Sequence, residues 1–287
     1  MAQYVDMETG EVVDVDALVK EEVKNVLDKQ RKQKLEWKAK MEEHQKKAEI
    51  TFFNNDMQAV DMLQEHLTRA QRGLFVILCC YMNYDNMVVH VKHGNKPLTK
   101  PQIQKVLNCP KRTLYDFLEA CTKGGILWYD EEEESYIVNP KVAFKGQYKY
   151  SDKEVVSMKV EMKNLLGHLT PTQIGLLYDL QPYINIKYET LCKNPNETEW
   201  SRIKHLTPKT LAAELGMSSA KLNQQLSKLK VDGKMIVQKV GYGNRSRYLM
   251  NPNYIFRGSW KKAIANIRQQ CDNKTIVSIF SESGDEE

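Results

Sequence analysis

The chain has 287 residues, 41% of them hydrophobic and 28% charged, with a net charge of +5. That length suggests roughly two domains, and the small positive charge permits nucleic acid as a partner without requiring it. No apolar run approaches the ~20 residues of a membrane span, the acidic N-terminus lacks a signal-peptide core, and six cysteines without metal-ligand spacing fit a reduced, cytoplasmic chain.

Residues 1–50 read as an N-terminal region apart from the rest. Met1 to Asp16 form a small acidic hairpin with Thr9-Gly10 as its turn. From Ala17 to about Lys47 the pattern is helical, with an apolar strip of Leu18, Val19, Val23, Val26 and Leu27 that lapses and resumes at Leu35, Trp37 and Met41. The lapse argues against a clean coiled coil. The helix is expected to pack on the body or on a second subunit, which leaves a homodimer open. Lys29, Arg31, Lys32 and Lys34 either reach a DNA backbone or form a solvated face.

Beyond residue 50 the chain repeats itself. "LTRAQRGLFVILCCYM" from Leu67 matches "LTPTQIGLLYDLQPYI" from Leu169. "LTKPQIQKVLNCPKRTLYDFLEACTKGGILWY" from Leu98 matches "LTPKTLAAELGMSSAKLNQQLSKLKVDGKMIV" from Leu206. "YIVNPKVAFKG" from Tyr136 matches "YLMNPNYIFRG" from Tyr248. Three blocks in the same order indicate a duplicated fold unit, placed at 51–150 and 151–259.

Each unit begins with an apolar helix, in which Cys79 and Cys80 read as buried thiols. A second helix follows Leu-Thr, with Thr99 or Thr207 as cap and Pro101 or Pro208 in the first turn. A tight turn leads to a third helix, ending at Gly124-Gly125 or Asp232-Gly233. Two strands then form a hairpin, "ILWY" with "SYIV" or "MIVQ" with "RYLM". Asn-Pro ends the returning strand, since proline cannot donate to a ladder. The apolar residues after it, Val142 and Phe144 or Tyr254 and Phe256, are expected to pack back on the unit. The segment "NIKYETLCKNPNETEWSRIKH" has no periodicity and reads as an inserted loop.

This order is that of a winged helix-turn-helix. The expected fold is therefore mainly α with small β wings, an α+β chain of two tandem winged helix-turn-helix domains plus an N-terminal helix. Such a unit offers its last helix to the major groove and its wing to the backbone or minor groove. In the first copy Leu114, Phe117, Leu118 and Cys121 form the buried stripe, and the opposite face carries Arg112, Tyr115, Asp116, Glu119 and Lys123. Its wing tip holds five acids, Asp130 to Glu134, which repel phosphate. Lys111, Arg112 and Tyr115 remain as candidate DNA contacts.

In the second copy Leu222, Leu226 and Leu229 form the stripe. Ser218, Ser219, Lys221, Asn223, Gln224, Ser227 and Lys228 are offered with no acid among them. Asn and Gln suit bidentate contacts with adenine. The wing supplies Lys239, Asn244, Arg245 and Arg247 around a glycine-rich tip, suited to phosphate. These residues are the expected DNA site.

Residues 260–287 read as an amphipathic helix, with Trp260, Ile264 and Ile267 inward, and an acidic tail. His90-x-x-His93 has no carboxylates beside it, so no metal and no cofactor are expected. No nucleotide-binding loop, nucleophile elbow or zinc-protease motif occurs, and an enzyme is not expected.

The order "LT..Q.GL...L..YMNYDNMV", helix-turn-helix, "GGIL" and "YIVNPKVAFKG" resembles the winged-helix replication proteins of Firmicute plasmids and phages, the RepL type. The resemblance covers Leu67 to Gly146 and recurs from Leu169 to Gly258. It implies a DNA-binding protein of a plasmid, phage or prophage, acting in replication initiation or transcription regulation. The expected partner is double-stranded DNA, with a host replication or transcription protein as a further candidate at the acidic first wing. The competing expectation is an interaction protein without DNA, whose acidic wing mimics nucleic acid or binds a basic partner.

Overall fold

The computed structural model describes residues 3–5, 12–14, 52–90, 94–146, 155–241 and 246–270. The chain divides into two compact units, Met1–Ile50 and Thr51–Glu287. In the first, β1 (Gln3–Val5) pairs antiparallel with β2 (Val12–Asp14), Val5 opposite Val12, as a hairpin. The helical stretch 17–47, with Lys29, Arg31, Lys32 and Lys34, lies outside the described residues, as does the acidic tail.

The second unit is mixed α+β. Its first repeat runs β3 (Phe52–Asp56), α1 (Val60–His66), α2 (Arg69–Cys79), β4 (Val89–His90), β5 (Lys96–Pro97), α3 (Lys100–Leu107), α4 (Lys111–Lys123), β6 (Leu127–Asp130), β7 (Ser135–Val138) and β8 (Ala143–Phe144). Its second runs β9 (Val155–Lys159), helical turns over Val160–Gly167, α5 (Pro171–Asp179), α6 (Pro208–Glu214), α7 (Ser219–Ser227), β10 (Lys230–Val231), β11 (Lys234–Met235), β12 (Val237–Val240), β13 (Arg247–Met250) and β14 (Ile255–Arg257). α8 (Trp260–Gln270) follows.

The four Leu-Thr pairs all start helices, and by one device. Each threonine precedes a helix and its backbone N–H donates three residues ahead: to Gln71 at 2.9 Å, Gln102 at 2.8 Å, Gln173 at 2.8 Å and Thr210 at 2.8 Å. Each preceding leucine (Leu67, Leu98, Leu169, Leu206) is buried. This reciprocal capping fixes where the helix begins and anchors the entering chain in the core.

The two repeats share one hydrophobic core. A four-stranded antiparallel sheet in the order β14–β9–β3–β8 joins them. Its register is symmetric about Asn54 and Ser157, which face each other: Asn54 also faces Phe144, and Ser157 faces Phe256. The Ser157 hydroxyl donates to Asn54 Oδ1 at 2.6 Å. On the helical side α2 crosses α5 at the glycine that both copies carry. A Cβ on Gly73 would lie 1.9 Å from the Pro171 carbonyl oxygen, and one on Gly175 would lie 1.8 Å from that of Arg69. Arg69 and Pro171 are themselves equivalent, so each glycine admits the other helix's first turn. Here glycine serves close backbone approach.

One contact breaks the symmetry. The buried Asp179 carboxylate accepts from Arg69 Nε at 2.6 Å, Arg72 Nε at 2.7 Å and Arg72 Nη2 at 3.1 Å. Arg72 also donates to the Leu67 carbonyl. Paired and multiply bonded, these charges tie α2 to α5.

The Asn-Pro phrase has one structure in both places. The Asn139 N–H donates to Ile126 O, its side-chain amide donates to Gly125 O at 2.7 Å, and Oδ1 accepts from Lys141 N at 2.9 Å. Asn251 repeats this with Ile236 O, Met235 O at 3.1 Å and Asn253 N at 2.9 Å. The turn releases the chain into β8 or β14, and Val142, Phe144 and Phe256 are buried while Tyr254 is half-buried. The basic residue before each glycine is also structural. Lys145 Nζ donates to Met82 O at 3.3 Å, and Arg257 Nη1 to Ile184 O at 3.2 Å.

Two expectations change. The third helix of the second repeat stops at Ser227, not at Asp232-Gly233. Asp232 and Gly233 have positive φ, 49° and 78°, and turn the β10–β11 hairpin, a role that Asp-Gly fills well. Nor is the loop after Tyr183 all insertion. Asn185 Oδ1 accepts from Lys187 N and Tyr188 N, as Asn83 Oδ1 accepts from Asp85 N and Met87 N. Glu189 and Asn86 both have positive φ, 53° and 62°, and their carbonyls accept from Met250 N and Val138 N. The second copy carries one extra residue between Asn185 and Glu189, and the rest of its excess follows Cys192, whose bridge to His205 corresponds to Val89 opposite Pro97.

Candidate nucleic-acid interface

α7 is positioned by its cap and its stripe. The Ser218 hydroxyl accepts from Lys221 N at 3.2 Å. Leu222 and Leu226 are buried, and Leu229 is buried just past the helix end. That leaves Lys221, Asn223, Gln224, Ser227 and Lys228 exposed, with Ser219 half-buried. No carboxylate lies between Ser218 and Val231. The face is therefore a row of ammonium and amide donors about two turns long.

Two of these side chains are already engaged. Asn223 Oδ1 accepts from the Tyr248 hydroxyl at 3.0 Å. Ser227 Oγ donates to the Gln224 carbonyl at 3.0 Å. Burial pushes the Tyr248 phenol up to about 12, so it stays a donor at neutral pH. The Asn223 NH2 and the whole Gln224 amide remain the groups suited to a base edge.

β12 and β13 form the hairpin beside α7, Lys239 opposite Tyr248 and Val240 opposite Arg247. Lys239 is exposed. Arg247 is not a loose tip residue. It is half-buried, its guanidinium carbon 5.0 Å from the Trp200 ring centre. Tyr188 meets Trp200 edge-on at 5.0 Å, and His205 lies 4.8 Å from it. His205 Nδ1 is 3.1 Å from Thr190 Oγ1. Burial, and then the Arg247 charge, hold the His205 imidazole below its ordinary range. Asn244 and Arg245 lie outside the described residues.

The first repeat presents different chemistry at the same places. Lys111, Arg112 and Tyr115 are exposed on α4. Arg112 faces Asp116 at 3.9 Å, and Lys123 bonds Glu119 at 2.6 Å, so the cations of this face are partly answered by its own acids. Tyr115 takes the place of Asn223. Lys100 and Lys111 each put an ammonium 5.9 Å from its ring centre. Tyr136, the equivalent of Tyr248, meets Tyr129 edge-on at 5.1 Å. At the tip Asp130 accepts from the backbone of Glu132 and Glu133, which leaves Glu131 to Glu134 exposed. One copy thus offers donors and positive charge, the other aromatic rings and a negative tip.

The Trp200–Arg247 stack was not legible in the sequence, because the partners are far apart in the chain and the loop has no period. The only signal was an aromatic-rich loop, Tyr188 and Trp200, ahead of a basic hairpin. Among the described residues no three His, Cys, Asp or Glu side chains are grouped to hold a metal ion, and no helix is long and apolar enough to cross a membrane. Compared with family models, curated proteins and solved structures, the chain gives no match.

Proposed function

We propose that each repeat is a winged helix and that the chain binds double-stranded DNA sequence-specifically, with the second repeat reading the site. The observation that carries this is the exposed face of α7, which holds Lys221, Gln224 and Lys228 with no acid, beside a hairpin bearing Lys239. α7 enters the major groove, where the Gln224 amide suits the paired acceptor and donor of adenine. Lys221, Lys228 and Lys239 neutralise phosphates and set register. Tyr248 fixes the rotamer of Asn223, so that its NH2 is presented without ordering cost.

The shared core and joined sheet make the two repeats one internal pair. The second reads DNA, while the first holds geometry or meets protein. The resemblance to RepL-type proteins supports a role in replication initiation or transcription regulation of a plasmid, phage or prophage, in the cytoplasm, without a cofactor or catalytic step. The exposed Glu131–Glu134 turn favours a second reading, an interaction protein that binds a basic partner in place of DNA.

The two readings part in one titration. Duplex bound through phosphates loses affinity steeply with salt, about a thousandfold between low and moderate salt for ~6 contacts. Absence of binding to any duplex at low salt would leave only the second reading.

A further inference from the structure

The duplication supplies a template for a surface that, among the described residues, only one copy covers. In the second repeat, α8 lies over the outer face of the β12–β13 hairpin. Ile264 and Ile267 of α8 pack with Val240 and Leu249. Asn266 adds a side-chain bond to the Lys187 carbonyl. Across that face run Gln238, Leu249 and Thr190, each opposite the next, and Leu249 and Thr190 are 1% and 0% exposed.

In the first repeat the same row is Trp128, Ile137 and Met87, again each opposite the next. It is more apolar than its covered counterpart. Yet Trp128 is 41% exposed, and Ile137 and Met87 are only half-buried. The difference arises beyond the Asn-Pro phrase. After the second phrase the chain makes α8, and after the first it returns to the sheet as β9. Among the described residues the helix that covers one hairpin has no counterpart on the other.

The charges beside the open face state what would cover it. α8 carries Lys261, Lys262 and Arg268 and no acid. The open face is bordered by the exposed Glu131–Glu134 turn, just beyond Trp128, and by exposed Asp85, which holds the place of Lys187. We propose that the Trp128–Ile137–Met87 face is the docking site for a basic amphipathic helix of a partner protein, laid as α8 lies on the second hairpin. Apolar anchors at helical spacing would cover the row, and lysine or arginine would meet the acidic turn. This inference stands whether or not the second repeat binds DNA.

The test uses the full chain and three labelled peptides of about 18 residues, a length that can hold a helix. One is a leucine–lysine peptide with leucines at helical spacing, one is its scrambled form, and one is the patterned peptide with glutamate for lysine. Fluorescence anisotropy should show the patterned basic peptide binding at least about tenfold tighter than either control. Trp128→Ala should weaken it about tenfold, as truncation of an aromatic anchor does. Trp128 is exposed, and an unchanged melting temperature would confirm the fold. Glu132→Lys with Glu133→Lys, at an exposed turn, gives a second and independent loss. Equal binding of the scrambled peptide, or indifference to both variants, would overturn the proposal. So would a dimer in sedimentation velocity that Trp128→Ala dissociates, because the face would then belong to a second copy of this chain.

Discussion

Gly73→Ala adds one methyl at the α2–α5 crossing. At an open helix position that change stabilises by ~1 kcal/mol, because alanine loses less backbone freedom. Here the new Cβ would lie 1.9 Å from the Pro171 carbonyl oxygen, well inside the 3.0 Å that real Cβ atoms keep. The obstacle is backbone in the first turn of α5, so no side chain can swing away. The two helices must separate by roughly an ångström, and the buried bonds between Asp179 and the arginines of α2 must stretch. Overpacking of this kind costs ~1–3 kcal/mol, and more when backbone must move. After the propensity gain is subtracted, a net loss of about 2 kcal/mol is expected, or about 4–8 °C in Tm for a domain of this size. Thermal and urea unfolding of Gly73→Ala, Gly175→Ala and the double variant check it. The double should cost less than the sum, since one separation makes room for both methyls. A single variant as stable as the parent, or more so, would refute the close crossing.

Other outcomes rest on the same structure. Asp179→Ala leaves the buried Arg72 guanidinium without its carboxylate and should cost ~3–5 kcal/mol, read as a lower urea midpoint. His205 is held below its ordinary range, so the unfolded chain takes up its proton more readily than the folded one. Stability should therefore fall as pH drops through about 6.5, and His205→Phe, which keeps a ring beside Trp200, should remove that part of the fall. A pH profile of the unfolding midpoint identical in parent and variant would contradict the assignment. Gln224→Ala should relax discrimination at one base position by ~1–3 kcal/mol, whereas Lys228→Ala should weaken all duplexes alike and lower the salt slope by about one.

Much of the local structure was legible. The Leu-Thr pairs at Leu98 and Leu206 marked helix starts because the capping geometry is local, and the pairs at Leu67 and Leu169 use the same device. The hairpin "ILWY"/"SYIV" lies where it was expected, as does "RYLM", but "MIVQ" is split: Met235 pairs with Lys230 in the β10–β11 hairpin and the wing strand begins at Val237. Leu114, Phe117, Leu118 and Cys121, and Leu222 and Leu226, face inward as their spacing requires. What joins the halves was not legible. β3 reads "FFNND", whose buried Asn54 bonds to Ser157 and to Gly146 O, both far along the chain. β8 has two residues, too few to show a period. Gly73 and Gly175 were visible as a shared pair, but their reason is a crossing between copies, which no single window contains. For the interface, the contrast between the two third helices was plain in the sequence. The restraint of Arg247 by Trp200, and of Asn223 by Tyr248, was not, since both depend on tertiary neighbours.

The central claim is that the second repeat, through α7, reads duplex DNA. It is tested most directly by selecting bound sequences from a random duplex pool with the full chain, then measuring the selected duplex by anisotropy at low salt. One enriched sequence is expected, lost with Lys221→Glu plus Lys228→Glu and retained with Lys111→Glu plus Arg112→Glu. No enriched sequence, or loss with the first-repeat pair alone, would contradict it.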